Sequence, residues 1–272
     1  MAFAIDPIVT LLFVAALFAL GAFVGVLSGL FGIGGGLLIV PFLTGLGFGV
    51  LPATATSLVG VIFSSMSGSI RNWQAGELDW RRSFGLAIGG IPAAQLGAVA
   101  GAHFSTSGLA FSFAALQAAS IYLIGLRQRL ADGDSSDEGD RADAPTLLLN
   151  GPSIAIGAIA GGLAGLFGVG GGVVMVPLQM LILKTPIKDA VRVSLGAIVA
   201  IGLSGLARHA LPGNVLWIPG VCMGAGGIIG AQLGARLLPY LAQPVVSGLF
   251  RVLLAVVAAV MIVEGWIALP SG

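Results

Sequence analysis

The sequence predicts an all-α polytopic membrane protein. It is expected to hold two inverted repeats of about five apolar helical segments, interrupted by glycine-rich helix breaks. Three observations predict this: a shortage of charge, its uneven placement, and a duplication across half the chain. Of 272 residues, 57% are hydrophobic and only 8% are charged. Soluble domains carry about 25% charged residues. So few charges cannot cover a water-exposed surface. A water-soluble enzyme and a nucleic-acid binder with a basic face are thereby excluded.

Between Asp6 and Arg71 lie 64 residues without a charge. A span needs about 20 apolar residues, so this stretch can hold three. Residues 131–145 carry six acids and one Arg, which reads as a solvated linker. One cysteine, Cys222, permits no internal disulfide and no metal-ligand spacing. No Lys or Arg precedes the first apolar run. That run is expected to stay as a transmembrane helix, not a cleaved signal.

The duplication sets the element order. GVLSGLFGIGGGLLIVP at 25–41 matches GGLAGLFGVGGGVVMVP at 161–177 in 11 of 17 positions. Ser57 aligns with Ser194. Gly68, Arg71, Gly76 and Trp80 align with Gly205, Arg208, Gly213 and Trp217. GGIPAAQLGA at 89–98 matches GGIIGAQLGA at 226–235 in eight of ten positions.

The first repeat, 1–126, divides into apolar segments near 8–31, 34–49, 53–70, 82–103 and 107–126. The acidic linker, 127–146, is expected in the cytoplasm. The second repeat, 147–272, divides near 147–167, 170–184, 189–207, 215–236 and 243–268. An odd number per half forces opposite orientations. With ten crossings, ten of the twelve basic residues fall on the cytoplasmic face, all but Arg208 and Arg251. Treating the short glycine-led segments as re-entrant moves Lys184, Lys188, Arg192 and Arg236 outside, so the ten-crossing count is preferred. Segment 34–49 is short for a span, at about 24 Å against roughly 30 Å of hydrocarbon, and reads as a broken or partly inserted helix.

Gly34, Gly35 and Gly36, with Gly170, Gly171 and Gly172, cannot continue an ordinary helix. A helix starting at glycine leaves amide N–H groups free for an anion. The same glycines would serve tight turns in close packing, and both readings stand. Gly21, Gly25 and Gly29, with Gly157, Gly161 and Gly165, form small-residue faces that should bring the halves together. Gln95 and Gln232 lie deep in apolar segments. Each needs a partner, either a substrate or a neighbouring helix. Ser57 and Ser194 are the symmetric hydroxyls. Thr54 reads as a cap. Arg192 precedes Ser194 closely. Arg208 sits on the face where positive charge is disfavoured, fitting anion attraction or a headgroup contact. His209 reads as structural.

No catalytic constellation is present: no HExxH, no GxSxG and no paired intramembrane carboxylates. A carboxylate proton relay has little support. No catalytic residue, metal site or cofactor is expected.

GLFGIGGGLLIVP, the ATSL of 55–58, the Arg-Asn-x-x-x-Gly-x-x-x-Trp run of 71–80 and GGIIGAQLGARL at 226–237 resemble the TauE/SafE sulfite exporter family. The resemblance spans nearly the whole chain outside the acidic linker. The second half departs from the first where Arg192-Val193 replaces Ala55-Thr56. The resemblance implies a permease for small sulfur-containing or organic anions, such as sulfite or sulfonates.

The function expected is an inner-membrane secondary transporter, an exporter, working by alternating access. An anion channel and a non-transporting assembly factor are the alternatives. The expected partners are a small anionic substrate and the lipid bilayer, with no nucleic acid. A coupling ion and a homo-oligomer are both compatible with the sequence.

Overall fold

The computed structural model describes residues 7–133 and 151–268. Of the acidic linker, 134–146 lies outside the described residues. Ten α-helices and one 3-10 turn make up the described fold, with no strand among the described residues. They are α1 (Pro7–Phe31), α2 (Gly36–Gly45), α3 (Val50–Gln74), α4 (Trp80–Gly101), α5 (Thr106–Gly133), α6 (Gly151–Phe167), α7 (Gly172–Ile182), α8 (Ile187–Ala210), α9 (Trp217–Leu237) and α10 (Gln243–Ile267).

Seven helices are long and apolar enough to cross a membrane; α2, α6 and α7 are shorter apolar helices. The chain is therefore an all-α polytopic membrane protein. Corresponding elements fall at corresponding positions. α1 and α6 end at Phe31 and Phe167, and α2 and α7 begin at Gly36 and Gly172. α3 and α8 begin at Val50 and Ile187, and α4 and α9 at Trp80 and Trp217.

The halves do not sit side by side as separate lobes. α1 packs along α9, and α4 packs along α6. Small residues make both pairings possible. A methyl on Gly21, Gly25 or Gly29 would run into the backbone of Met223, Gly227 or Ala231. On the other side, Gly157, Gly161 and Gly165 press on Leu86, Gly90 and Ala94. Backbones this close allow Cα–H···O contacts that larger side chains forbid. Two ring pairs repeat the pattern. Phe31 stacks on Phe250 at 5.4 Å between centroids, and Phe167 meets Phe113 at 5.2 Å.

Charges gather at one end of the bundle. Arg192 bonds Glu77 at 2.9 Å and Asp189 at 3.0 Å. Lys188 donates to Pro239 O at 2.8 Å. Arg71, Glu77, Arg236 and Tyr240 line one cavity at the same end. Lys188, Arg192, Arg236 and Arg71 thus lie at one end of the bundle. α8 carries Arg208 to the opposite end.

The chain reverses at the glycine breaks. Gly32, just after α1, packs on Val191, next to Arg192 at the basic end. α2 then starts in the interior, against Gly168 and Val169, and leads into α3. α2 and α7 are 10 and 11 residues long, about 15 Å at 1.5 Å per residue. They are half-helices, as the length of segment 34–49 suggested.

Candidate functional site at the paired glycine breaks

Backbone conformation explains why glycine stands at the breaks. Gly32, Gly34 and Gly35 have φ of 68°, 76° and 89°; Gly168, Gly170 and Gly171 have 71°, 80° and 81°. Left-handed backbone costs other residues roughly 1–2 kcal/mol each. Gly35 and Gly171 are the N-caps of α2 and α7, with no side-chain cap.

The two breaks meet. A methyl on Gly36 would strike Gly168 O, and one on Gly172 would strike Gly32 O. Gly34 and Gly170 both face Val61 of α3 and Ile198 of α8. Residues 31–37 and 167–173 are all buried. The amide N–H groups of Ile33, Gly34 and Gly35, and of Val169, Gly170 and Gly171, donate to no backbone carbonyl among the described residues. A buried unsatisfied donor costs about 1–3 kcal/mol. Unpaired backbone at membrane depth is tolerated only inside protein or beside a cavity. This interior is therefore rich in donors and has no formal charge.

Hydroxyls surround the first break. Ser64 Oγ donates to Gly34 O at 2.8 Å, and Ser28 Oγ lies 3.4 Å from Ser64 Oγ. Ser65 Oγ is buried without a partner, and it flanks Gly34. The aligned positions of the second half are Ala164, Ile201 and Gly202. The Ser28, Ser64 and Ser65 hydroxyls of the first break thus have no hydroxyl counterpart at the aligned positions of the second. Nothing in the sequence singled out Ser28, Ser64 or Ser65, because serine in a transmembrane helix is common and the duplication drew attention to matched positions only.

Ser57 Oγ sits 2.7 Å from both Thr54 O and Gly168 O, so its one proton serves the helix or the opposite break. Ser194 is equally buried but accepts from Gln179 Nε2 at 2.8 Å. Gln179 Nε2 also lies 3.4 Å from Ala190 O, so it ties α7 to α8. It was missed because its counterpart, Leu43, is apolar.

Other predicted residues lie apart from the breaks. Gln95 Nε2 donates to Ser204 O and Oγ at 2.8 and 3.0 Å, binding α4 to α8. Ser204 Oγ in turn reaches Ile91 O at 2.9 Å. Ser67 Oγ makes the matching bond to Ile228 O at 2.7 Å, beside Gln232. Gln95 thus has an interhelical partner in Ser204. Arg192 is engaged by its two carboxylates at the basic end. Arg208 is exposed at the opposite end, and His209 bonds Gly165 O at 3.0 Å. Thr56 Oγ1 accepts from Leu216 N at 2.9 Å, capping α9 from the other half. No group of three metal-ligating side chains occurs among the described residues.

An array of long apolar helices with two interlocked half-helix breaks defines a membrane transporter class. The profile of the sulfite exporter TauE/SafE family matches residues 17–261, and the chain belongs to that family. It is 29% identical over 265 residues to the probable membrane transporter protein YunE of Bacillus subtilis, covering 92% of this chain and 97% of that one. It is 32% identical over 206 residues to the probable membrane transporter protein MJ0441 of Methanocaldococcus jannaschii, covering 73% of each. A probable membrane transporter protein of Xylella fastidiosa is 27% identical over 255 residues, covering 92% of this chain and 95% of that one. No solved structure matches the chain. The protein is a multi-pass membrane transporter, not an enzyme.

Proposed function

We propose that the chain exports a small sulfur-containing or organic anion, such as sulfite or a sulfonate, across the cell's inner membrane. It does so as a secondary transporter with alternating access. One observation carries this: two buried breaks meet and leave N–H donors unpaired in an interior without charged side chains. Such donors suit an anion and hold a cation poorly. The family's printed description supports sulfite as the first anion to test.

Gly34, Gly35, Gly36, Gly170, Gly171 and Gly172 form the floor of the proposed site. Ser57, Ser64 and Ser65 supply hydroxyls. Val61 and Ile198 close it, so the anion is reached only after one half rocks against the other. An inverted orientation of the halves would give two related conformations. A negative interior potential drives an anion outward at about 2.3 kcal/mol per charge per 100 mV.

The test is flux of radiolabelled sulfite, sulfoacetate and taurine in proteoliposomes, with an imposed potential. Saturable flux with counterflow supports the reading. Non-saturating flux makes the protein a channel, and no flux of any anion points to an assembly role.

A further inference from the structure

A second polar site lies at the basic end, away from the breaks. Arg71, Asn72, Glu77, Arg236 and Tyr240 line a cavity of about 220 Å³ between α3 and the end of α9. One water needs only about 10–15 Å³ of such space, so a small oxyanion fits together with water.

Its cations are free. Neither Arg71 nor Arg236 pairs with a carboxylate among the described residues. Glu77, the acid in the wall, is held by Arg192 at 2.9 Å. Arg71 Nε is buried with no partner. Asn72 is 1% exposed, and its amide nitrogen also lacks a partner. A buried amide left unpaired is costly. Turning it by 180° exchanges its two ends, so the ligand sets which end it meets.

The aligned positions in the second half differ. Arg208 and His209 replace Arg71 and Asn72, but Val99 stands in place of Arg236. His209 is satisfied by Gly165 O at 3.0 Å, whereas the Asn72 amide nitrogen has no partner. The asymmetry singles out one end of the molecule.

We infer that this cavity binds an oxyanion group, sulfonate, sulfite, sulfate or phosphate, through Arg71, Arg236 and Asn72. Two guanidinium forks offer the planar donor pairs that such groups accept. The oxyanion is either free cargo or the phosphate of an anionic lipid. Where it is cargo, the site rests on the proposed export and captures the anion at the inner mouth.

The probe is sodium sulfate, titrated calorimetrically into the full chain in phosphatidylcholine nanodiscs. Arg236 is exposed, so Arg236→Gln should fold normally. It should weaken sulfate binding about tenfold or more, the loss of one charge-assisted bond. Asn72→Ala should weaken it severalfold, and Arg208→Gln should leave it unchanged. In parallel, native mass spectrometry reads retained phosphatidylglycerol. Loss of that lipid in Arg236→Gln assigns the phosphate to a headgroup, while sulfate binding without lipid competition assigns it to cargo. Equal sulfate affinity and equal lipid retention in wild type, Arg236→Gln and Asn72→Ala overturn the inference, as does no binding of either ligand. Binding lost in Arg236→Gln with no anion crossing leaves this site standing and removes the proposed anion export. Normal flux with unaltered binding does the reverse.

Discussion

Ser57 of the first half and Gly168 of the second meet at 2.7 Å, hydroxyl to carbonyl, with both residues buried. This bond fixes the second break against the start of α3. Ser57→Ala leaves the Gly168 carbonyl buried without that donor, at a cost of about 1–3 kcal/mol. A lower melting temperature and a raised KM for the transported anion are expected. Ser194→Ala instead frees Gln179 and should chiefly lower stability. Thermal melts and flux on both single variants and the double separate the two effects. An unchanged KM in Ser57→Ala counts against a role for this serine at the site.

Helix contact between the halves depends on glycine. Gly161→Val puts a branched side chain into the Gly90 backbone. Overpacking costs about 1–3 kcal/mol, and more where backbone cannot yield. A Cβ added at Gly248 of α10 meets nothing within 4 Å, so Gly248→Ala should be neutral or stabilising by up to about 1 kcal/mol. Chemical denaturation in detergent should rank the two variants on opposite sides of wild type.

Arg192, at 12% side-chain exposure, bridges Glu77 of the first half and Asp189 of its own helix. A partly buried pair of this kind should couple more strongly than the roughly 0–1 kcal/mol of an exposed one. A double-mutant cycle on Glu77→Gln and Arg192→Gln should give a coupling of about 1 kcal/mol or more. Additive effects would mean that the bridge does not join the halves energetically.

Thr44, at the far end of α2, donates to Glu264 Oε2 of α10 at 2.7 Å. Both line a small apolar cavity with Phe113 and Phe167. A hydrogen bond to a carboxylate contributes about 1.5–3 kcal/mol. Thr44→Val should therefore destabilise the protein by about that amount, while Thr44→Ser should retain most of the stability. Equal melting of both variants and wild type would contradict the contact.

Much of this arrangement was legible in the sequence. The repeated GLFGxGGG blocks located both breaks, because three glycines in an apolar run have no helical reading. Gly21, Gly25 and Gly29 announced a close helix face by spacing alone. The placement of Lys188, Arg192 and Arg236 grouped them correctly with Arg71. What was hidden depends on partners across the fold. The amide of Gln95 had to be satisfied, but only the fold shows Ser204 beside it. Ser28, Ser64 and Ser65 are ordinary serines until α1 and α3 bring them to Gly34. Looking for matched pairs also concealed the asymmetry, since Gln179 faces Leu43 and Arg236 faces Val99 in the alignment. The paired carboxylates around Arg192 were equally out of reach, because Glu77 lies in the other half.

The central claim is that the two meeting breaks form the anion path. Counterflow of radiolabelled sulfite in proteoliposomes carrying wild type, Gly34→Val or Gly248→Ala tests it most directly. Saturable counterflow in wild type and Gly248→Ala, lost in a folded and correctly inserted Gly34→Val, is the predicted result. Undiminished counterflow in Gly34→Val would contradict it.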